Sequence, residues 1–403
     1  WNVHEESFFP KLKPLSSLTF RVSYSLTGTP PDASYCNALT KLSMNTPYRP
    51  TTTDKELGFV VAAVGNDELT YEKKHEFNFG VDAGFFNNRL NVTFDVYQRR
   101  NFDEIAPTVT QLYGTAYANV GSMKSWGEEL SISSTNVKTN DFSWQTSLIY
   151  SHNRTEITDL YNQGRVIDLV QGNGFAKQGY PARALFSIPF VGINEKGNPV
   201  CINEKGQATV GDLNFQERNN TDYLIYEGST DPIYNGSLGN TFNYKGFHLN
   251  LFLTYAFGNV VRLDPVFKAK YNDLTSMTHD FKNRWMQPGD ENVTNVPGVV
   301  SRYEYEQNRT LLSTAYNAYN YTSVRTAKGD FIRLKEISLA YDFPHRWLEN
   351  SPVNNISLKL QATNLMLLYA DKKLNGQDPE FMNAGGVASP MPKQFTLTLK
   401  LGL

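Results

Sequence analysis

Apolar and polar residues alternate strictly in several stretches of this chain, and a period of two puts all the apolar side chains on one face of an extended strand. From 18 to 26, Leu18, Phe20, Val22, Tyr24 and Leu26 oppose Thr19, Arg21, Ser23 and Ser25. Phe77, Phe79, Val81, Ala83 and Phe85 oppose Glu76, Asn78, Gly80, Asp82 and Gly84, and Asn87-Asn88-Arg89 then leads to Leu90, Val92, Phe94 and Val96. That arrangement predicts a hairpin. A strand follows over Phe142 to Tyr150, and a second hairpin is predicted around Lys245-Gly246 from Leu238 to Phe257. The last predicted strands carry Ile337, Leu339, Tyr341 and Phe343, then Ile356, Leu358, Leu360 and Ala362, then Phe395, Leu397, Leu399, Leu401 and Leu403.

Connection lengths separate the possible architectures. Short links at about 87–89, 136–141, 245–246 and 344–355 alternate with long ones at about 27–70, 101–125, 153–179, 207–234, 258–330 and 366–393. Structureless loops longer than roughly 12–15 residues are uncommon in compact soluble domains. Outer-membrane barrels have short periplasmic turns and long extracellular loops, with tilted strands crossing an apolar band about 25 Å tall. The pattern therefore predicts an all-β fold, an antiparallel transmembrane β-barrel of about 12 strands. Residues 185–202 are read either as two spanning arms around Asn194–Pro199 or as part of one extracellular excursion; both keep the up-down parity. Polar strand residues such as Thr19, Arg21, Asn91 and Asp95 are expected to line a hydrated or plugged lumen. The competing reading is a soluble two-layer β protein with one wet face.

Composition narrows the classes further. The 403 residues include 38 Lys+Arg and 40 Asp+Glu, a net charge of -2, so no electrostatic footprint for nucleic acid exists. Mean hydropathy is -0.44 and no run of roughly 20 apolar residues is present, which excludes helical membrane spans but not a barrel. Cys36 and Cys201 supply neither a disulfide framework nor a zinc spacing. Aromatics are abundant, with 25 Phe, 23 Tyr and 5 Trp.

No catalytic constellation is visible. Six scattered histidines form no HExxH, and Asn235-Gly236-Ser237-Leu238-Gly239 is not GxSxG and opens a strand. The chain is expected not to be an enzyme, and no cofactor or metal is expected. Acidic loop groups at Asp67-Glu68, Asp103-Glu104, Asp290-Glu291 and Asp378-Pro379-Glu380 lack EF-hand spacing, so calcium in the loops has no motif behind it. Aromatic loop residues are the candidate substrate contacts: Tyr113, Tyr117, Trp285, Tyr316, Tyr319 and Tyr321. Their rings suit sugar C–H faces or peptides, while packing of the loops on themselves is the competing reading.

The stretch Gly329-Asp330-Phe331-Ile332-Arg333-Leu334-Lys335-Glu336-Ile337-Ser338-Leu339-Ala340-Tyr341-Asp342-Phe343-Pro344 resembles the FxRLKxxxLxYxxP signature of SusC/RagA-type TonB-dependent transporters of Bacteroidota. Trp1-Asn2-Val3-His4-Glu5-Glu6, Gly84–Leu90, Asn119–Met123 ahead of Gly127–Leu130, Trp285 with Pro288-Gly289-Asp290, Thr363-Asn364-Leu365 and Asp378-Pro379-Glu380 agree in order, so the likeness spans essentially the whole chain. The resemblance implies a barrel of roughly 22 strands in the outer membrane, of which residues 1–403 would be the C-terminal part, without plug or TonB box. It also implies a SusD-like surface lipoprotein as lid, contact with the TonB complex through the missing N-terminal part, outer-membrane lipid around the wall, and oligosaccharide or peptide import energised through TonB. Segments 101–125 and 153–179 are the candidate lid contacts. The terminal Leu403 departs from the aromatic that usually ends such barrels. A secreted or surface glycan-binding β-rich adhesin is the alternative, and an enzyme built on a barrel is a third reading that lacks a site.

Overall fold

The computed structural model describes residues 1–9, 14–33, 39–46, 53, 55–110, 114–161, 163–269, 271, 274, 276–349, 352–382 and 392–402. Cys36, Tyr113 and Leu403 lie outside them. Ten strands form one antiparallel up-and-down sheet in chain order: β1 (Leu15–Thr29), β2 (Glu72–Phe85), β3 (Leu90–Thr110), β4 (Gly114–Lys138), β5 (Phe142–Leu160), β6 (Tyr234–Tyr244), β7 (Phe247–Phe257), β8 (Phe331–Asp342), β9 (Asn355–Ala370) and β10 (Gln394–Gly402). Tight turns need special backbone at single positions. Lys245 and Gly246 both adopt positive φ, which fits the two-residue type I′ hairpin whose twist matches the flanking strands.

The register carries the alternation across the sheet without a slip of face. Leu249, Leu339, Leu360 and Leu397 are direct cross-strand neighbours on four successive strands, and one residue along Asn250, Ser338, Gln361 and Thr396 form the matching polar row. A one-residue shift would exchange the two rows, so the apolar face fixes the register. The apolar row is open: Leu339, Leu360 and Leu397 are 46%, 55% and 69% exposed. Water does not tolerate so much contiguous apolar surface on a stable protein, and hydrocarbon does. Aromatic rings border this surface at both ends. Trp144 stacks on Phe242 and Phe247 packs on Tyr341 near the short turns, while Tyr150 meets Tyr234 and Phe257 meets Tyr255 and Tyr369 near the long loops. From Phe247 to Tyr255 is eight residues, about 26 Å of strand, in keeping with an apolar band about 25 Å tall. Asn240, a polar residue on the apolar face, accepts from Trp144 Nε1 at 2.9 Å and Thr146 Oγ1 at 2.8 Å, so it presents no unpaired amide oxygen to lipid.

The other face is polar and cross-linked. Arg21 donates to Asp82 at 2.7 Å and to Asp95 at 2.9 Å, and Thr93 donates to Asp82 at 2.9 Å. The guanidinium lies across Gly80, where any Cβ would collide with Arg21 and Asp95.

Two expectations need correction. The sheet has ten strands among the described residues, not about 12, because both arms of 185–202 belong to the excursion between β5 and β6: Ala184–Ser187 pairs with Ile225–Ser229, and Phe190–Ile193 pairs with Pro199–Ile202. Nor is 101–125 an irregular loop. Phe102 is the last β3 residue paired to β2, yet β3 and β4 continue as a two-stranded ribbon to Thr110 and Gly114. Asn119 braces its base, accepting from Thr70 N at 2.9 Å and donating to Thr70 O at 3.0 Å and Asp103 O at 2.6 Å.

The face assignment gives opposite outcomes for neighbouring substitutions. Leu251→Arg, on the apolar row beside Ile337, is expected to cost about 2–4 kcal/mol near the midplane and to block assembly, whereas Asn250→Arg on the polar row is tolerated. Heat-modifiable migration of outer-membrane fractions compares the two, and equal behaviour at both positions overturns the assignment.

Candidate functional site

The long excursions leave the same rim, opposite the turns at 86–89, 139–141, 245–246 and 343–354, and those after β5, β7 and β9 meet one another above the sheet. There they build the buried cores of the described residues. One contains Val166, Leu169, Phe186, Ile188, Cys201 and Ala318; a second contains Val266, Phe267, Leu312, Tyr316 and Tyr319; a third joins Val261 and Leu263 to Ala327 and Leu374. The first core already mixes residues from 161–233 with residues from 258–330, so these excursions form a single folded dome. The helix Arg309–Asn320 places Leu312, Ala315 and Tyr319 on one inward stripe.

Three buried arginines bind the dome together. Arg262 donates to the carbonyls of Thr322, Phe186 and Val170 at 2.8, 2.7 and 3.1 Å and to Ser187 Oγ at 3.1 Å, crossing between the two excursions. Desolvation pulls its pKa down to about 10, which still leaves it charged at neutral pH. Arg325 pairs with Asp280 at 2.7 Å and donates to Asp264 O at 2.6 Å. Arg333, 5% exposed at the upper end of β8, pairs with Asp378 and reaches Glu380 at 3.2 Å. The segment 371–380 between β9 and β10 is thereby strapped to the mouth of the polar face. Further bonds run from Gln377 to Asp264 at 2.9 Å, from Asn375 to Asp280 at 2.8 Å and from Lys328 N to Asp371 at 2.9 Å.

The aromatic candidates are scattered by comparison. Tyr316 and Tyr319 come together on Phe267, at ring separations of 4.6 and 6.0 Å, but inside the second core. Burial pushes the Tyr316 phenol up to about 12 and raises that of Tyr319, which is 1% exposed and donates to Asn295 O at 2.8 Å. Tyr321, half-buried, packs on Phe215 under the Arg262 guanidinium. Trp285 is wedged against Gly197 and Gly298, neither of which could carry a Cβ there, and donates Nε1 to Glu291 at 2.9 Å. That bond, with one from Gly289 N–H, holds the Glu291 carboxyl below its usual range. Tyr117 sits apart on the β3–β4 ribbon, where its carbonyl accepts from Asn66. Tyr316 and Tyr319 serve packing: the helical spacing that brings them to one face also turns them inward. Asp103, Asp290, Glu291, Asp378 and Glu380 of the acidic loop groups are engaged as well. Asp103 pairs with Lys73, Asp290 accepts from the N–H groups of Met286 and Gln287, and no metal-holding cluster occurs among the described residues.

A polar-faced wall, lipid-facing rows and a dome on one rim can be compared with known proteins. The family model for the TonB dependent receptor-like β-barrel matches residues 2–365. The chain belongs to that family. TonB-dependent receptor P3 of Formosa agariphila is 25% identical over 94% of this chain and 37% of its own length. TonB-dependent receptor SusC of Bacteroides thetaiotaomicron is 25% identical over 100% of this chain and 39% of its own. The solved structure of the RagAB peptide transporter superposes with a TM-score of 0.75 at 24% identity, covering 100% of this chain and 42% of that one, and so shows the same fold. The chain thus spans about two fifths of the length of these relatives. It is an outer-membrane β-barrel chain, similar to SusC and, in fold, to the RagAB transporter.

For a TonB-dependent barrel, two separate parts of the family signature now have one physical meaning. Arg333 of the Phe331–Lys335 motif and Asp378 and Glu380 of Asp378-Pro379-Glu380 are partners in one buried contact. Asn364 of Thr363-Asn364-Leu365, with φ +53, lies where the β8–β9 register shifts. Arg262 carried no sequence signal, since an isolated arginine in an aliphatic stretch reads like a surface residue.

Removing one partner of a buried pair leaves the other uncompensated. Arg333→Ala is expected to destabilise by about 3–5 kcal/mol and to open 371–382 to limited proteolysis, with Asp378→Asn following the same path. The double variant should cost much less than the sum of the two, which a double-mutant cycle on thermal unfolding measures. A second test uses the thiol at Cys201, fully buried in the first core and pushed by burial up to about 12. In a Cys36→Ser background, maleimide should label Cys201 at pH 8 only after unfolding.

Proposed function

We propose that the chain is part of the wall and outer vestibule of an importer that takes up oligosaccharides or peptides through the outer membrane, energised through TonB and capped by a SusD-like surface lipoprotein. The carrying observation is the pairing of a polar wall face with a single dome built from the excursions of one rim, in a chain of the TonB-dependent receptor family. Polar rows such as Asn250–Ser338–Gln361–Thr396 give a translocating solute hydrogen-bonding partners, while the lipid-facing rows hold the wall in place. β10 pairs on one side only, and beyond β2 the other edge of β1 meets only the bridge at Trp1-Asn2 among the described residues; free sheet edges cannot stand in hydrocarbon. Further strands of the whole protein would complete the barrel. Transport needs binding and conformational change and no bond chemistry, in accord with a family of transporters.

The β3–β4 ribbon is the proposed lipoprotein contact. Beyond Phe102 it runs eight residues to Thr110, about 26 Å, with no third strand of the sheet beside β3 among the described residues. It thus stands above the wall as a two-stranded platform, and an exposed strand edge is a ready template for β-augmentation. The aromatic candidates Trp285 and Tyr321 remain proposed substrate contacts only where their half-buried edges face the vestibule.

The test joins uptake and assembly. Replacing 105–118 with an Asn-Gly turn in the whole protein is expected to leave barrel assembly intact while abolishing co-purification of the lipoprotein. Deleting the gene or inactivating TonB should each abolish growth on the complex glycan or peptide mixture the strain otherwise uses. Unchanged growth on every such source, with the protein still at the surface, would favour the adhesin.

A further inference from the structure

The outer face of the wall changes character just above the upper aromatic ring. On the outward alternation of β2 to β5, Phe77, Gln98, Trp126 and Arg154 are direct neighbours, and in the next row His75, Arg100, Lys124 and Glu156 are. These rows continue the face that carries Val81, Phe94, Leu130 and Tyr150 nearer the membrane centre. Lys124 is occupied, at 2.9 Å from Glu156 and 5.8 Å from the Trp126 ring. Arg100 and Arg154 are exposed and make no ion pair among the described residues. They stand two strands and one outward row apart, roughly 12 Å between backbone positions.

Beside Arg154 the wall and the overhanging dome leave a crevice of ≈ 560 Å³, lined among others by Trp126, Glu156, Tyr226 and Asp231. Its carboxylates are already used: Glu156 by Lys124, and Asp231 by Arg183 at 2.6 Å. Nearby Glu128 accepts from the Tyr150 hydroxyl. The crevice therefore offers one uncommitted cation next to an indole and a phenol, a combination suited to a phosphorylated sugar.

We propose that Arg100 and Arg154, with Trp126 and Tyr226, form a site for the phosphorylated sugar headgroup of an outer-leaflet glycolipid. Position argues for a lipid over a free anion: both arginines lie outside the lumen, directly above lipid-facing rings, at the level where headgroup phosphates meet a barrel wall. Anionic headgroups would neutralise side chains that otherwise face a boundary between hydrocarbon and polar layer. The inference rests on the outer-membrane placement and not on the transport reading.

The whole protein, purified in detergent, is titrated with lipid A, with dephosphorylated lipid A and with inorganic phosphate, reading retained lipid by native mass spectrometry and the shift in unfolding temperature. Lipid A should bind and stabilise. Arg100→Ala/Arg154→Ala should weaken binding at least tenfold, while Arg218→Ala, a dome arginine bonded to Gln163 O, should leave it unchanged. Heat-modifiable migration must show the double variant folded; if it is not, Arg100→Gln and Arg154→Gln are read singly, each expected to lose severalfold. Equal binding by the arginine variants, equal binding of dephosphorylated lipid, or equal protection by inorganic phosphate would each overturn the proposal.

Discussion

Hydrocarbon supplies no partner for a backbone N–H or C=O, and each group left unpaired there costs several kcal/mol. The rest of this structure depends on that constraint. It forces the membrane-level chain into one continuous antiparallel ladder, and the ladder in turn forces the alternation, because successive side chains must leave on opposite faces. Once Leu249, Leu339, Leu360 and Leu397 share a row, Asn250, Ser338, Gln361 and Thr396 share its opposite, and the polar interior follows from the ladder. Irregular backbone is then confined to the ends of strands. Short turns gather on one rim and the excursions on the other, which is why the loops meet each other at all.

Two kinds of solvent therefore shape two parts of one chain. The wall keeps its apolar side chains outward and has few buried ones, while the dome, in water, turns the same residue types inward around Phe186, Phe267 and Tyr319. The cores hold each excursion folded, and the buried arginines decide how the excursions sit against each other. Apolar contact is non-directional. A guanidinium aimed at the carbonyls of Val170, Phe186 and Thr322 admits few alternative arrangements, because any displacement strands a charged group away from water.

What could be read in the amino-acid sequence divides along the same line. Alternation is a local property, so the wall strands and their faces were legible residue by residue, and the turn at Lys245-Gly246 with them. The arms of 185–202 were ambiguous because four-residue strands with flanking turns look alike whether they span a membrane or fold within a loop. The ribbon over 101–125 has no strict alternation to announce it and holds Pro107 and Gly114, so it reads as loop, although its backbone stays paired. The aromatic loop residues were identified by type, and type does not report burial: Tyr319 and a surface tyrosine are the same letter. Dome contacts such as Arg262 with Val170 join residues 92 positions apart, and no local pattern announces them.

The pairing of Arg333 with Asp378 and Glu380 shows how a signature can be visible long before its reason is. β8 is a wall strand, and Arg333 sits at its upper end on the polar side, so it is held as rigidly as the ladder itself. The segment 371–380 has little apolar core of its own, with Leu374 and Pro379 its buried residues. A strap with so little core needs a directional anchor on a rigid element. The same strap also bonds to Asp264 and Asp280 of the dome, so wall and dome share one set of charged contacts at the mouth of the polar face. A movement of the dome relative to the wall that carries 371–380 with it breaks the buried Arg333–Asp378 pair, and one that leaves the strap on the wall breaks its hydrogen bonds to Asp264 and Asp280. That makes this small segment, more than the aromatic residues above it, the element whose chemistry sets how the mouth can open.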